Sequence, residues 1–248
     1  YSIENDEVYI NNCFSYNKSE IVIPETIEGY PVTKIKSGAF RNCHGLIKVV
    51  IPNTVKFIDL LAFDNCFRLE SVNIPASVSY IGQTAFNYCN GLKTITVDED
   101  NQTYSSDENG ILFNKDKTNL ILCPRGTAIN SYTIPNTVTN VSDFAFAYCQ
   151  NLKSITVSDS VESIGTYVFR GCTNLETANI TNNVKSIGIY AFTSCQSLKK
   201  VNIPNSISEI PDGVFSSCYK LQNITIPDSV KSIGQRAFSG CMELTGLE

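Results

Sequence analysis

The chain has 248 residues, 42% of them hydrophobic, with no Trp, one Met, one His and a net charge of −5 from 19 Lys and Arg against 24 Asp and Glu. No apolar run approaches the roughly 18 residues that a membrane-spanning helix needs. The basic residues are scattered along the units, without the clustered positive face that phosphate binding requires, so nucleic acid is not expected as a partner.

In chain order, residues 1–22 stand before the first clear repeat, and "VIPETIEGYPVTKIKSGAF" (22–40) opens an array. An Ile-Pro start or its substitute recurs at Ile23, Ile51, Ile74, Val97, Ile134, Val157, Ile180, Ile203 and Ile226. Seven of the nine units are 23 residues long. The first is lengthened by "IEGYPV" and the fourth by a 14-residue insertion within 98–133. A chain that repeats at this period is read as an array, because no single unit can bury its own apolar face.

Each unit begins with an alternating stretch such as "LKTITV" (92–97), which predicts a strand with one wet face. Because every unit runs the same way round, the equivalent strands at 69–74, 152–157, 175–180, 198–203 and 221–226 are expected to stack in parallel. The Pro that usually follows cannot donate to a ladder and marks the strand end. A small hydrogen-bonding residue comes next, at Thr54, Ser77, Asp100, Thr137, Ser160, Asn183, Ser206 and Ser229, and is expected to satisfy turn backbone. Then Ile81, Ala85 and Cys89 fall at i, i+4 and i+8, the spacing of a short helix face held by packing. A Phe recurs at 40, 63, 86, 146, 169, 192, 215 and 238, preceded by Ala or, at 168 and 214, by Val. This predicts a column of buried rings beside a slot for small side chains, each ring contributing about 1.5–3 kcal/mol.

The ten cysteines follow the same period. Cys43, Cys66, Cys89, Cys149, Cys172, Cys195, Cys218 and Cys241 share one slot, so their side chains should lie parallel, whereas a disulfide needs Cβ vectors that face each other. No short-spaced Cys pair suggests zinc. The slot reads as a small buried hydrophobe, and Cys172→Ser is expected to cost about 1–3 kcal/mol by placing a hydroxyl in an apolar site. Only Cys13 and Cys123 stand outside it.

Catalysis has little to stand on. His44 lies at a variable turn position, no G-x-S-x-G elbow accompanies it, and phosphate-loop and dinucleotide fingerprints are absent. Asp98, Glu99, Asp100, Asp107 and Glu108 offer oxygen ligands of the kind calcium prefers, but the EF-hand order fails at Gln102 and the segment reads as a solvated loop. No enzyme activity, metal or cofactor is expected. The insertion itself suggests a β-hairpin at 110–123, with "ILF" and "NLILC" flanking "NKDKT". It either shields the junction or meets a partner.

The wording "IPxSVxxIGxxAFxxCxxLxxV" resembles the BspA-like branch of the leucine-rich repeat family, known from surface proteins of anaerobic bacteria and some protozoan parasites. The resemblance covers about 23–248, and both "YSSDENGILFNKDKTNLILCPRG" (104–126) and the 22–40 segment resemble features of that group. It implies an α/β repeat solenoid: a right-handed superhelix with a parallel concave sheet, short convex helices, a β-hairpin insertion and an N-terminal cap of strands over 1–22. It also implies an extracellular or cell-surface module, with no signal peptide or anchor in this sequence, binding protein or glycan. A spacer projecting another domain from the cell is the alternative. The expected binding face is two columns of outward strand residues. One is Val50, Asn73, Thr96, Thr133, Thr156, Asn179, Asn202 and Thr225; the other is Lys48, Ser71, Thr94, Ser131, Ser154, Thr177, Lys200 and Asn223. The stop in mid-repeat at "CMELTGLE" suggests an uncapped C-terminal edge open to association.

Overall fold

The structure is a computed structural model and describes residues 1–13 and 18–247. It divides into two compact units, residues 1–115 with 124–126, and residues 116–123 with 127–248. Each unit is a parallel-strand solenoid in which every coil contributes one strand to each of two sheets.

In the first unit, Glu20–Val22, Lys48–Val50, Ser71–Ile74 and Thr94–Val97 form the expected parallel sheet, with Ile21 opposite Val49, Thr94 opposite Ser71 and Thr96 opposite Asn73. Val49, Val72 and Ile95 point inward and their neighbours face solvent, as the alternation requires. A second sheet runs through Glu7–Ile10, Tyr30–Ile35, Phe57–Ile58 and Tyr80–Ile81, and Ser2–Glu4 adds to its edge antiparallel. The second unit repeats the plan. Ser131–Thr133, Ser154–Thr156, Thr177–Asn179 and Lys200–Val201 build one sheet. Asn119–Leu122, Asn140–Val141, Ser163–Ile164 and Ser186–Ile187 build the other.

The second sheet was not foreseen, because Ile81 and its equivalents read as the first residue of a helix. There are no helices among the described residues, which corrects the expected short convex helices. The coil Ile164–Cys172 shows why. The N–H groups of Tyr167, Phe169 and Gly171 donate to Ile189, Ala191 and Thr193 of the next coil at 3.1, 2.7 and 2.9 Å. Between them, the Arg170 and Cys172 N–H groups close four-residue turns onto the Tyr167 and Phe169 carbonyls, both at 3.1 Å. Alternate amides therefore leave the coil, and two left-handed residues, Tyr167 (φ 56°) and Gly171 (φ 69°), reset the chain once per turn. A helix needs consecutive right-handed residues and i→i−4 bonds. The period of four that imitated one comes from tandem turns.

The aromatic column is present. Phe40, Phe63 and Phe86 stack at 5.0 and 5.4 Å in the first unit, and Phe146, Phe169, Phe192, Phe215 and Phe238 at 4.9–5.7 Å in the second. The small side chains before them, Ala39 to Val214, are buried. Side-chain links between coils also follow expectation, with the Ser77, Ser160 and Ser206 hydroxyls donating to the Val55, Val138 and Val184 carbonyls. Ser229 departs from the expectation, its buried hydroxyl having no partner among the described residues, and so does the fourth repeat. There Asp100 is exposed, and the buried Asn101 amide donates instead to Pro75 and Val78 at 2.7 and 2.9 Å while accepting from Thr103 and Tyr104.

None of the ten cysteines, all among the described residues, is in a disulfide. Their slot is more than a small hydrophobic hole, because the thiols of Cys66, Cys89, Cys172, Cys195, Cys218 and Cys241 each meet the carbonyl of the Phe one coil back, and that of Cys149 meets the Cys123 carbonyl. Cys66 reaches Phe40, Cys172 reaches Phe146 and Cys195 reaches Phe169, at 3.0, 3.0 and 3.1 Å. Cys13 and Cys123 are explained too. Their N–H groups donate to Ala39 and Ala145 as the Phe N–H groups do elsewhere, so both stand in the Phe slot. Within the insertion, Leu112–Asn114 pairs antiparallel with Tyr104–Ser106, a strand the sequence reading missed. The other strand of the expected hairpin, Asn119–Leu122, lies in the second unit and pairs in parallel with Asn140–Val141.

Candidate functional site

The expected binding columns fall on the solvent face of the first sheet in each unit. In the second unit Ser131, Ser154, Thr177 and Lys200 stand in register, as do Thr133, Thr156 and Asn179. Parallel pairing brings equivalent residues together, so neighbours can bond one another. Thr177 donates to Ser154 at 3.0 Å, and in the first unit Thr96 donates to Asn73 at 3.0 Å. Asn202 leaves its column, its amide donating to the Ile180 carbonyl and accepting the Ile180 N–H at 2.8 Å. Ion pairs flank this face, Lys93–Glu70 in the first unit and Lys199–Glu176 in the second joining neighbouring coils at 3.1 and 2.9 Å, while Lys185–Glu162, at 2.9 Å, does the same beside the second sheet.

One place on the second unit's face is not flat. A groove of about 740 Å³ opens between Lys200 and Asn223, lined also by Lys199, Asn202, Asn205 and Thr225. Four predicted residues, Lys200, Asn202, Asn223 and Thr225, are thereby gathered at one concavity, while the remainder stay spread along the sheet. The groove sits where the sheet is interrupted. Lys200–Val201 pairs backward with Thr177–Ala178, and Asn223–Ile224 pairs forward with Gly246–Leu247, with no ladder between them among the described residues. No residue lining it is acidic. Its polar groups can donate and accept hydrogen bonds, and Lys200 has no ion pair among the described residues.

The second sheet is interrupted in the same region, between Ser186–Ile187 and Glu209–Ile210. In neighbouring coils the residue after the strand donates backward: Gly165 to Val141 at 2.9 Å, Gly188 to Ile164 at 2.8 Å, Gly234 to Ile210 at 2.7 Å. Position 211 is Pro, which has no N–H to give Ile187. That substitution was visible in "SEIPDG" but was not singled out, because Pro also follows Ile at strand ends throughout the chain.

The other candidates have structural roles. His44 rests against Phe67, ring centroids 4.9 Å apart, with its Nε2 3.1 Å from the Asn65 amide. Asp98 and Asp107 cap their own turns, Asp107 accepting from Asn109 and Ile111 at 3.0 and 2.9 Å. Among the described residues no three His, Cys, Asp or Glu side chains are arranged to hold a metal. Burial, with the neighbouring Cys13 and Cys66 thiols, pushes the Cys43 thiol up to about 12, and burial raises Cys195 and Cys218 well above the ordinary value. A neutral thiol is a poor nucleophile, so the column is chemically quiet.

Comparison with known proteins agrees with this architecture. The family model for the BspA type leucine rich repeat region matches residues 8–110 and 123–245, in six copies. No curated protein matches the chain significantly. A leucine rich cell surface protein from Faecalibacterium prausnitzii A2-165 superposes with a TM-score of 0.82 at 35% identity, over 93% of this chain and 59% of its own. This chain therefore spans well under two thirds of that protein. A leucine-rich repeat protein from Eubacterium ventriosum shares the fold at 22% identity and a TM-score of 0.68, over 97% of this chain and 84% of its own. So does the pneumococcal vaccine antigen PcpA, at 24% identity and 0.65, over 92% and 50%. With its repeats, its paired parallel sheets and its match over most of its length, the chain belongs to the BspA-type leucine-rich repeat family.

Proposed function

We propose that this chain is a non-enzymatic interaction module of a secreted or cell-surface protein, with residues 1–22 as its cap and the repeats as its binding body. It engages an extracellular protein or glycan through the solvent face of its first sheet. The observation that carries this reading is the groove, which gathers Lys200, Asn202, Asn223 and Thr225 from the columns expected to bind. The F. prausnitzii relative is a cell surface protein, which supports the same location for this chain.

A spacer role is favoured by a different observation. Bonds such as Thr177 to Ser154 and Thr96 to Asn73 satisfy the columns internally, as a plain stacked sheet would. The two readings part in a binding screen of the purified chain against extracellular-matrix proteins and a glycan panel, with an Asn179→Lys, Thr156→Lys control. A ligand retained by the native chain and lost by the control supports the binding face. Silence from both proteins rejects it in favour of the spacer.

A further inference from the structure

We propose that the groove between Lys200 and Asn223 receives an extended acidic polypeptide segment, which joins the first sheet as an added strand. The proposal rests on the reading of that face as the binding surface and names the partner it takes.

A strand within a sheet has two edges, each a row of N–H and C=O groups. Lys200–Val201 uses one edge against Thr177–Ala178, and Asn223–Ile224 uses one against Gly246–Leu247. Their other edges face each other across the groove without a ladder. Edges of this kind are what an incoming strand reads, the main chain giving affinity and alternate side chains giving selectivity.

The opening is built into the chain. Pro211 cannot complete the second sheet toward Ile187. In the first sheet the Ile180 N–H meets the Asn202 side chain, whereas the equivalent Val157 N–H meets the main-chain carbonyl of Asn179 at 2.9 Å. Both interruptions flank the single crossing segment 202–208, so widening one sheet breaks no ladder in the other. The turn side is continuous across the same coils, with Phe192 donating to Val214 at 2.9 Å and Ser194 to Ser216 at 2.8 Å. Neighbouring strands lie about 4.8 Å apart, so a guest strand needs roughly twice that gap, and the intact turn row is the pivot about which it opens.

Charge selects the guest. The lining holds no carboxylate and includes Lys200, with Lys199 beside it already paired to Glu176. Alternate side chains of the guest face solvent beside Lys200 and Asn223, so acidic residues at those positions find a cation and amide donors. No aromatic ring lines the groove to stack on a sugar face, which favours peptide over glycan.

Fluorescence anisotropy with a short labelled peptide alternating Glu and Val tests this. Its comparators are the same peptide N-methylated on alternate backbone nitrogens, a Lys-Val peptide and an oligogalacturonate. Saturable binding of the Glu-Val peptide is expected, weakened about tenfold or more by N-methylation, by Lys200→Glu and by Pro211→Gly, which restores the missing donor. Circular dichroism and melting curves establish that both variants are folded. Equal binding of the N-methylated peptide, undiminished binding by Pro211→Gly, or no binding of any peptide overturns strand addition. Lys200-dependent binding of the oligogalacturonate alone rejects the peptide while leaving the binding face intact. Silence here together with silence in the matrix and glycan screen rejects both.

Discussion

The turn side and the sheet side of the second unit treat the coil from Leu198 to Lys220 differently. On the turn side, Phe192, Phe215 and Phe238 stack at 5.7 Å each, and Cys218 reaches the Phe192 carbonyl as its equivalents do in every neighbouring coil. On the sheet side both ladders stop. The coil keeps one strand partner in each sheet, Lys200–Val201 with Thr177–Ala178 and Glu209–Ile210 with Ser232–Ile233, and on its open sides it is held by its core and its turn row. A net strand hydrogen bond contributes only about 0.5–1.5 kcal/mol, whereas a fully buried Phe contributes about 1.5–3 kcal/mol. The column organises the array, and the ladders are where it can be interrupted for use.

Removing a ring from the column is the most direct way to break that contrast. Phe192 is fully buried between Phe169 and Phe215. Phe192→Ala is expected to cost about 3–5 kcal/mol in urea unfolding, from lost transfer energy plus the cavity left behind. A loss below about 1 kcal/mol would show that the sheets, not the rings, carry the stability.

The thiols come next. Cys172 donates to the Phe146 carbonyl at 3.0 Å, so the cost expected for Cys172→Ser on a purely apolar slot must be revised: serine keeps the donor. Cys172→Ala removes one of two donors to that carbonyl, which keeps the Cys149 N–H at 3.1 Å, and is expected to cost about 0.5–1.5 kcal/mol, with Cys172→Ser costing less. The reverse order in chemical denaturation would mean that size, not hydrogen bonding, sets the slot.

Raised thiol pKa values also make stability depend on pH. Folding holds Cys43, Cys195 and Cys218 protonated past the point where they ionise in the unfolded chain. Their contribution is therefore complete below about 8.5 and is lost as pH climbs toward the folded values, about 12 for Cys43. Each buried thiol lowers unfolding free energy by up to about 1.4 kcal/mol per pH unit in that window. Melting curves at neutral and alkaline pH should fall accordingly, and a flat response in an all-thiol protein would mean the column is wet.

Much of this was legible from spacing alone. The period of 23, the inward Val72 and Ile95, the Phe column and the unpaired cysteines follow from period-two alternation and from equivalent side chains lying side by side. What misled was the four-residue spacing of Ile81, Ala85 and Cys89, which tandem turns and a helix produce equally. The distinguishing signal was weak, since the left-handed positions carry Tyr167, Tyr190 and Arg236 as readily as Gly171. Asn101 escaped notice because it stands one place beyond the slot it serves. Four of the eleven residues lining the groove, Lys200, Asn202, Asn223 and Thr225, were predicted, but its position was not. The signal beside it, Pro211 and its missing N–H, follows an Ile like many harmless prolines in the chain.

The smallest expected effect bears most closely on that position. Pro211→Gly returns the residue found at 165, 188 and 234, whose N–H groups each bond the preceding coil at 2.7–2.9 Å. The regained hydrogen bond adds about 0.5–1.5 kcal/mol, and the loss of proline's restriction on the unfolded chain removes about 0.4–1 kcal/mol, so net stability should move by less than about 1 kcal/mol. Amide exchange is the sharper readout. Protection should rise at Lys200–Ile203 and at Asn223–Thr225 as the ladders close, while Phe192 and Ser194, already bonded across the turn row, stay unchanged. If the groove amides exchange as before, the opening is held by the Asn202 side chain on Ile180, and Asn202→Thr, matching Thr156 and Thr225, becomes the substitution that closes it.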